Sequence, residues 1–198
     1  MKLYDAAASG NCHKVRLLLS MLDIAHEVIS VSLPNMAQKT PDHMARNPLG
    51  LVPVIEDGDV TIYDSQAILV YLASKHGGEN WLPGDPVGRA MVQQWLSFAV
   101  NELWHGPALA RAKLLFGRDI DLGRAQASAE MSLSIMNQHL GRNDRLALGR
   151  PTIADIACYP YSALAEDGEI SLAPYDALAA WFARIKALPG FVTMPGLK

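Results

Sequence analysis

Three groups of residues in this 198-residue chain have types and spacing that can do chemistry: Val52-Pro53, Asp64-Ser65, and the segment Ser9-Gly10-Asn11-Cys12. Val52-Pro53 precedes the apolar pair Val54-Ile55, so the proline stands at a strand entry, where its missing N–H breaks no interior ladder bond. If the Val52-Pro53 bond is cis, the N–H and C=O of Val52 turn outward and can pair with an extended peptide; the sequence does not fix the isomer. Asp57-Gly58-Asp59 then reverses the chain as a hairpin, and Val60-Thr61-Ile62-Tyr63 alternates as the second strand. Asp64-Ser65 closes that strand. Ser65 is expected to cap a helix over residues 66–76, its hydroxyl and the free amides holding a carboxylate. Asp64 is then placed to meet an ammonium group.

The loop from Ala6 to His13 joins a first strand to a helix whose N-terminal amides favour an anion. A thiol with a pKa of ~8.5 is mostly protonated at neutral pH, and a hydrogen-bond donor at a helix N-terminus lowers it towards the thiolate, the useful nucleophile. Ser9 and Asn11 are both able to donate, and both types also serve as plain turn and cap residues at a strand-to-helix junction. Cys12 offers a mixed-disulfide route, although its place inside the helix suits an inert packing residue better. Tyr4 falls within the strand and is read as core.

A ligand with an amide for Val52 and, at one end, both an amino group and a carboxylate satisfies the first surface. Glutathione has that chemistry. The stretch NPLGLVPVIEDGDVTIYDSQAILVYL resembles the N-terminal domain of the cytosolic glutathione transferases, where a Val-Pro and a Glu/Asp-Ser at this spacing bind the tripeptide. Asp64 replaces the commoner glutamate, shortening the reach and keeping the charge. SGNCHKVRL resembles the serine-bearing loops of zeta and theta-like classes, with Asn11 at the place used by nu-like bacterial members, which implies Ser9 as the leading donor to the thiol and Asn11 as its rival. The resemblance implies glutathione as co-substrate, with Gln38 and Lys39 meeting its glycine carboxylate. It also implies a thioredoxin-like βαβαββα domain over residues 1–76, a linker over 77–87 and an all-helical domain over 88–198. It further implies detoxification chemistry and a homodimer, with Tyr71 or Met91 near the contact.

A small hydrophobic electrophile is expected against the helical domain, near Trp104, His105 and Arg111. An aromatic, a histidine and a proline crowd together there; the same crowding also suits a kinked, packed helix. Disulfide reduction or peroxide reduction on the same site, and a noncatalytic interaction protein of the same fold, are the other outcomes the resemblance allows.

Apolar periodicity supports this layout. Lys2–Tyr4 and Glu27–Val31 read as strands around a helix patterned from Lys14 to Leu22, with Lys14 and Arg16 assigned to its exposed face or to a dimer contact. One long helix is expected from Gly88 to Phe116, another from Leu122 to Leu140, and a last one from Tyr175 to Leu188. Thr152 and Asp155 form a capping-box signal that opens a buried helix, and the TIAD box there resembles a folding element of the same family.

Composition sets outer limits. Half the residues are hydrophobic (50%), yet no apolar run reaches the ~20 residues of a membrane span. The start MKLYDAAASG lacks a secretory pattern, so a cytoplasmic location is expected. A net charge of −3 with scattered basic residues argues against a nucleic-acid surface. Two cysteines are too few for a disulfide framework, and the six histidines show no metal-ligand spacing.

Overall fold

Leu3 and Tyr4 point to opposite faces of one short strand, and both are buried, so this strand has to lie inside a sheet covered on two sides. In the computed structural model, which describes residues 1–197, β1 (Lys2–Asp5) is that inner strand. β2 (Glu27–Ser30) pairs parallel on one side and β3 (Val54–Asp57) antiparallel on the other, with β4 (Val60–Tyr63) outside β3. The strand order is β2-β1-β3-β4.

Helix α1 (Gly10–Met21) crosses from β1 to β2, α2 (Pro41–Arg46) lies between β2 and β3, and α3 (Ser65–Leu72) follows β4. This is the expected βαβαββα order. The Leu3 and Ile55 face packs on Val15, Leu18 and Leu19 of α1 and on Ile68, Leu69 and Leu72 of α3. On the opposite face Tyr4 packs with Val31 and Val54 and meets the edge of His43 from α2, so its reading as core holds.

α1 begins four residues before Lys14 because Ser9 caps it, its Oγ accepting the Cys12 N–H at 3.2 Å. The expected exposed face of this helix needs correction. Lys14 is only 1% exposed, and Arg16 turns back to pair with Asp5. α1 is packed by the sheet and α3 on one side and by a later helix (Ile153–Ala163) on the other, so it has almost no free face.

The second half is helical: α4 (Gly78–Trp81), α5 (Pro86–Leu103), α6 (Leu109–Phe116), α7 (Leu122–Leu140), α8 (Ile153–Ala163) and α9 (Asp176–Lys186). The single helix expected over 88–116 is two helices. Gly106, at φ −94° and ψ −107°, and Pro107 break it within a wide turn over Trp104–Ala108. Gly106 lies so close to α7 that a Cβ there would come within 2.8 Å of the Ala129 backbone.

α8 is the buried centre, every residue from Ile153 to Ser162 lying inside. Its capping box is formed as expected. Thr152 Oγ1 accepts the Ala154 N–H at 3.2 Å, and Asp155 Oδ2 accepts the Thr152 N–H at 3.0 Å. Asp155 Oδ1 also accepts from Leu146 N–H at 3.3 Å and Trp181 Nε1–H at 2.9 Å, which ties α8 to α9 and to the preceding loop. No helix among the described residues is long and apolar enough to cross a membrane.

Candidate functional site

The loop after β1 and the start of α1 face the α5–α6 junction across a cleft of about 660 Å3. Ser9, Asn11, Gln38 and Val52 line it from the sheet side. Trp104, Arg111 and Tyr161 line it from the helical side, with Leu115 and Phe116 adding an apolar wall.

Ser9 Oγ is already an acceptor from Cys12 N–H, so its own proton is left to donate. Asn11 Oδ1 accepts from Lys14 Nζ at 2.8 Å, which leaves the Asn11 amide NH2 as its remaining polar group. The two rival donors therefore stand together at one helix N-terminus. Cys12 is fully buried, with Sγ accepting the Ala6 N–H at 3.4 Å. Burial, reinforced by Asp5, pushes its thiol up to about 12, so it stays protonated and inert as the packing reading required.

Val52-Pro53 is cis. The preceding Leu51 carbonyl is held from two sides, by Asn47 Nδ2 at 2.9 Å and His43 Nε2 at 3.0 Å. A carbonyl only accepts, so His43 must carry its proton on Nε2. His43 and Asn47 are positioning residues that the sequence did not single out. The order N-P-L-G before Val52-Pro53 was visible, but two donors converging on one carbonyl is a tertiary fact.

The capping assignment at Asp64-Ser65 also needs correction. Asp64, not Ser65, is the N-cap of α3: its Oδ1 accepts from Gln66 N–H at 2.9 Å and Ala67 N–H at 3.1 Å. Ser65 is the first helical residue, buried, with Oγ donating to Gln66 Oε1 at 2.9 Å. Both residue types cap helices well, and a shift of one residue in the helix start decides between them. Asp64 sits at φ 74° and ψ 124°, a backbone region that side chains other than glycine rarely adopt. Its Oδ2 remains unengaged by the cap, on an exposed residue.

Gln38 lines the cleft and has Oε1 buried without a partner among the described residues, while Lys39 is exposed with Nζ donating to the Leu49 carbonyl at 2.8 Å. Of the three residues expected at an electrophile site, Trp104 and Arg111 line the cleft and His105 does not. His105 is exposed, its Nδ1 meeting the Asn101 carbonyl one turn back at 2.8 Å. Neighbours in sequence diverge here because the wide turn sends successive side chains in different directions.

Arg111 is 3% exposed. Its Nε donates to Asp167 Oδ2 at 2.8 Å and its Nη1 to the Ala8 carbonyl at 2.9 Å, so it fastens the helical half to the loop that carries Ser9.

Tyr161 was missed by the sequence reading, since it sits on a helix recognisable only as core. Its ring packs so tightly on Gly10 that a Cβ there would stand 2.7 Å from the ring. Burial raises the pKa of its hydroxyl to about 12, against the opposing pull of the Asn11 backbone N–H. Its ring edge also meets Trp104, at 6.3 Å between centroids. Among the described residues no group of three or more His, Cys, Asp or Glu is placed to hold a metal ion.

A mixed sheet ordered β2-β1-β3-β4, a cis X-Pro before β3, and a helical half closing a cleft over the first helix N-terminus define a thioredoxin-like domain joined to an all-helical one. Residues 3–80 match the family model described as glutathione S-transferase, N-terminal domain. Glutathione S-transferase 3 of Zea mays is 30% identical over 205 residues, covering 96% of this chain and 91% of that protein. The structure of a glutathione S-transferase from Pseudomonas fluorescens [Pf-5] superposes with a TM-score of 0.92 at 32% identity, covering 98% of each chain. A glutathione transferase homolog from Drosophila mojavensis, solved with bound glutathione, gives 0.86 at 29% identity over 95% of this chain and 88% of that one. The chain belongs to the glutathione S-transferase family and is a transferase.

Proposed function

We propose that the cleft binds glutathione with its sulfur between Ser9 and Asn11 and presents it, as thiolate, to a small hydrophobic electrophile held by the helical half. The observation that carries this reading is the convergence of two side-chain donors, Ser9 and Asn11, on one helix N-terminus inside a cleft that Val52 also lines. Two donors and the α1 amides stabilise the thiolate relative to the thiol, and proximity does the rest. Attack forms a carbon–sulfur bond, and the electrophile's leaving group departs with the bonding pair.

In this reading Val52 pairs with the ligand backbone, and Asp64 Oδ2 takes its ammonium. The first-turn region of α3 at Ser65 and the Gln38–Lys39 loop take its two carboxylates. Gln38 Oε1, a buried acceptor without a partner among the described residues, suits a ligand N–H. Trp104, Leu115, Phe116 and Tyr161 form the acceptor wall, with Arg111 behind it; His105 takes no part. Residues 1–76 act as the glutathione-binding domain, 77–87 as the linker and 88–198 as the electrophile domain, in a cytoplasmic homodimer. Burial of Cys12 disfavours the mixed-disulfide route to a reductase.

Calorimetric titration of glutathione, with thiolate absorbance followed between about pH 5 and 9, tests the reading. Binding with the thiol pKa lowered by about one unit or more is the expected result. Binding without that shift would leave a ligand carrier, and no binding an interaction module. Ser9→Ala and Asn11→Ala should each raise the bound thiol pKa and slow conjugation while changing the glutathione KM little.

A further inference from the structure

Lys14 carries the one ammonium that α1 buries, on the side of the helix that faces α8. It is 1% exposed, and among the described residues no carboxylate forms an ion pair with it. Nζ has two neighbours of note: Asn11 Oδ1 at 2.8 Å and the Tyr161 ring, 5.2 Å to its centroid. The other groups that bear on it electrostatically are Cys158 from α8 and Asp64 at the cap of α3. A buried ammonium with so few partners is unfavourable for stability beside an apolar chain of equal length. Packing alone does not account for it.

The contact with Asn11 has a chemical consequence. A lysine ammonium has three donors and no acceptor, so only the oxygen of the Asn11 amide can face it. The NH2 end of that amide is then the end turned to the cleft. Without such a pin, an asparagine amide can present either end to a ligand, and a carbonyl oxygen facing a thiolate repels it where an N–H attracts it.

We infer that Lys14 is a positioning residue for the thiol chemistry, its ammonium fixing Asn11 so that the amide donates to the glutathione sulfur. This rests on the proposed placement of the sulfur at Asn11. Lys14 acts through Asn11 and does not touch the ligand.

Three variants test it: Lys14→Met, Lys14→Gln and Asn11→Ala, with the Lys14→Met/Asn11→Ala double, each read by the pKa of bound glutathione, kcat and KM. Methionine fills the same space without a donor, so the fold should persist; thermal melting checks that. Glutamine supplies an N–H for Asn11 Oδ1 without the charge, and serves as the readable variant if methionine does not fold.

Lys14→Met is expected to raise the bound thiol pKa by about one unit and lower kcat about tenfold near neutral pH, with the glutathione KM within about threefold of wild type. Lys14→Gln should recover most of that loss. The double variant should be no worse than Asn11→Ala alone, because both changes remove one donor. A wild-type thiol pKa in Lys14→Met would overturn the inference, as would additive losses in the double variant. Glutamine as defective as methionine would also overturn it, since charge and not orientation would then be acting. If wild type itself binds no glutathione or shows no acid-shifted thiol, the placement of the sulfur fails first and the inference falls with it. A shifted wild-type thiol that ignores Lys14 removes the inference alone.

Discussion

Arg111 and His13 are buried ionisable residues that differ in their partners. Asp167 and the Ala8 carbonyl occupy the guanidinium fork of Arg111. Asp167→Ala should leave that guanidinium without its counter-charge and cost about 1–3 kcal/mol, reduced by the partial exposure of Asp167. Because the same arginine holds Ala8, the variant should also loosen the Ser9 loop. Denaturant midpoints together with the glutathione KM check both effects, and an unchanged midpoint would show that the pair contributes nothing.

His13 is fully buried with neither ring nitrogen partnered among the described residues, and desolvation, assisted by the Arg16 charge, lowers its pKa to about 3 from 6.5. Between those values the unfolded chain binds a proton that the folded chain does not. Stability should therefore fall as pH drops from about 6.5 towards 3, by up to roughly 1.4 kcal/mol per pH unit, with no contribution from this group above that window. His13→Phe should flatten the acid limb in urea titrations at pH 7 and 5. At this scale the candidate site was legible where its signals are local. Ser9, Asn11 and Val52 could be named because turn, cap and X-Pro signals depend on near neighbours. Lys14 was misplaced for the opposite reason: its charge argues for solvent, and only α8, over a hundred residues away in sequence, excludes it.

Elements show the same division. The capping box at Thr152 and Asp155 was readable because its partners lie three residues apart, but its further use was not. Asp155 also accepts from Leu146 and Trp181, so one carboxylate satisfies three buried N–H donors. Asp155→Ala should strand all three and destabilise the protein by about 3–5 kcal/mol. At about 2–4 °C per kcal/mol for a chain of this size, Tm should drop by roughly 10 °C. Asp155→Asn keeps the oxygen that serves Leu146 and Trp181 and loses chiefly the Thr152 bond, so it should cost less than half as much. Equal losses in both variants would place the effect in charge and not in acceptor count. The break at Trp104–Ala108 was half legible. Gly106 and Pro107 announce a bend, but only the close approach of α7 shows why a glycine stands there and why Trp104 reaches the cleft while His105 does not.

At the scale of the whole molecule, the two halves are joined through the site itself. Tyr161 seats against Gly10, Arg111 holds Ala8, and Lys14 lies between Asn11 and α8, so the loop that carries Ser9 is packed directly against the helical half. Large apolar side chains are also exposed on both halves. Val87 (70% exposed) and Met91 (45%) on α5 and Val60 (43%) and Tyr63 (39%) on β4 place large apolar side chains on both halves. Scattered exposed apolar residues are ordinary, but helix and sheet contributions from both halves suit a two-fold contact between copies, which needs about 1,200–2,000 Å2 of buried surface. The proposed homodimer should then have twice the 21.5 kDa chain mass at micromolar concentration. A lysine in such a contact buries a charge, so Met91→Lys should shift the sedimentation equilibrium towards monomer. Arg111 and Tyr161 hold the cleft within one chain, so monomeric Met91→Lys should still bind glutathione with an acid-shifted thiol. A wild-type monomer would remove the dimer and leave the site argument standing; a monomeric variant that loses the thiol shift would show that the partner chain completes the site.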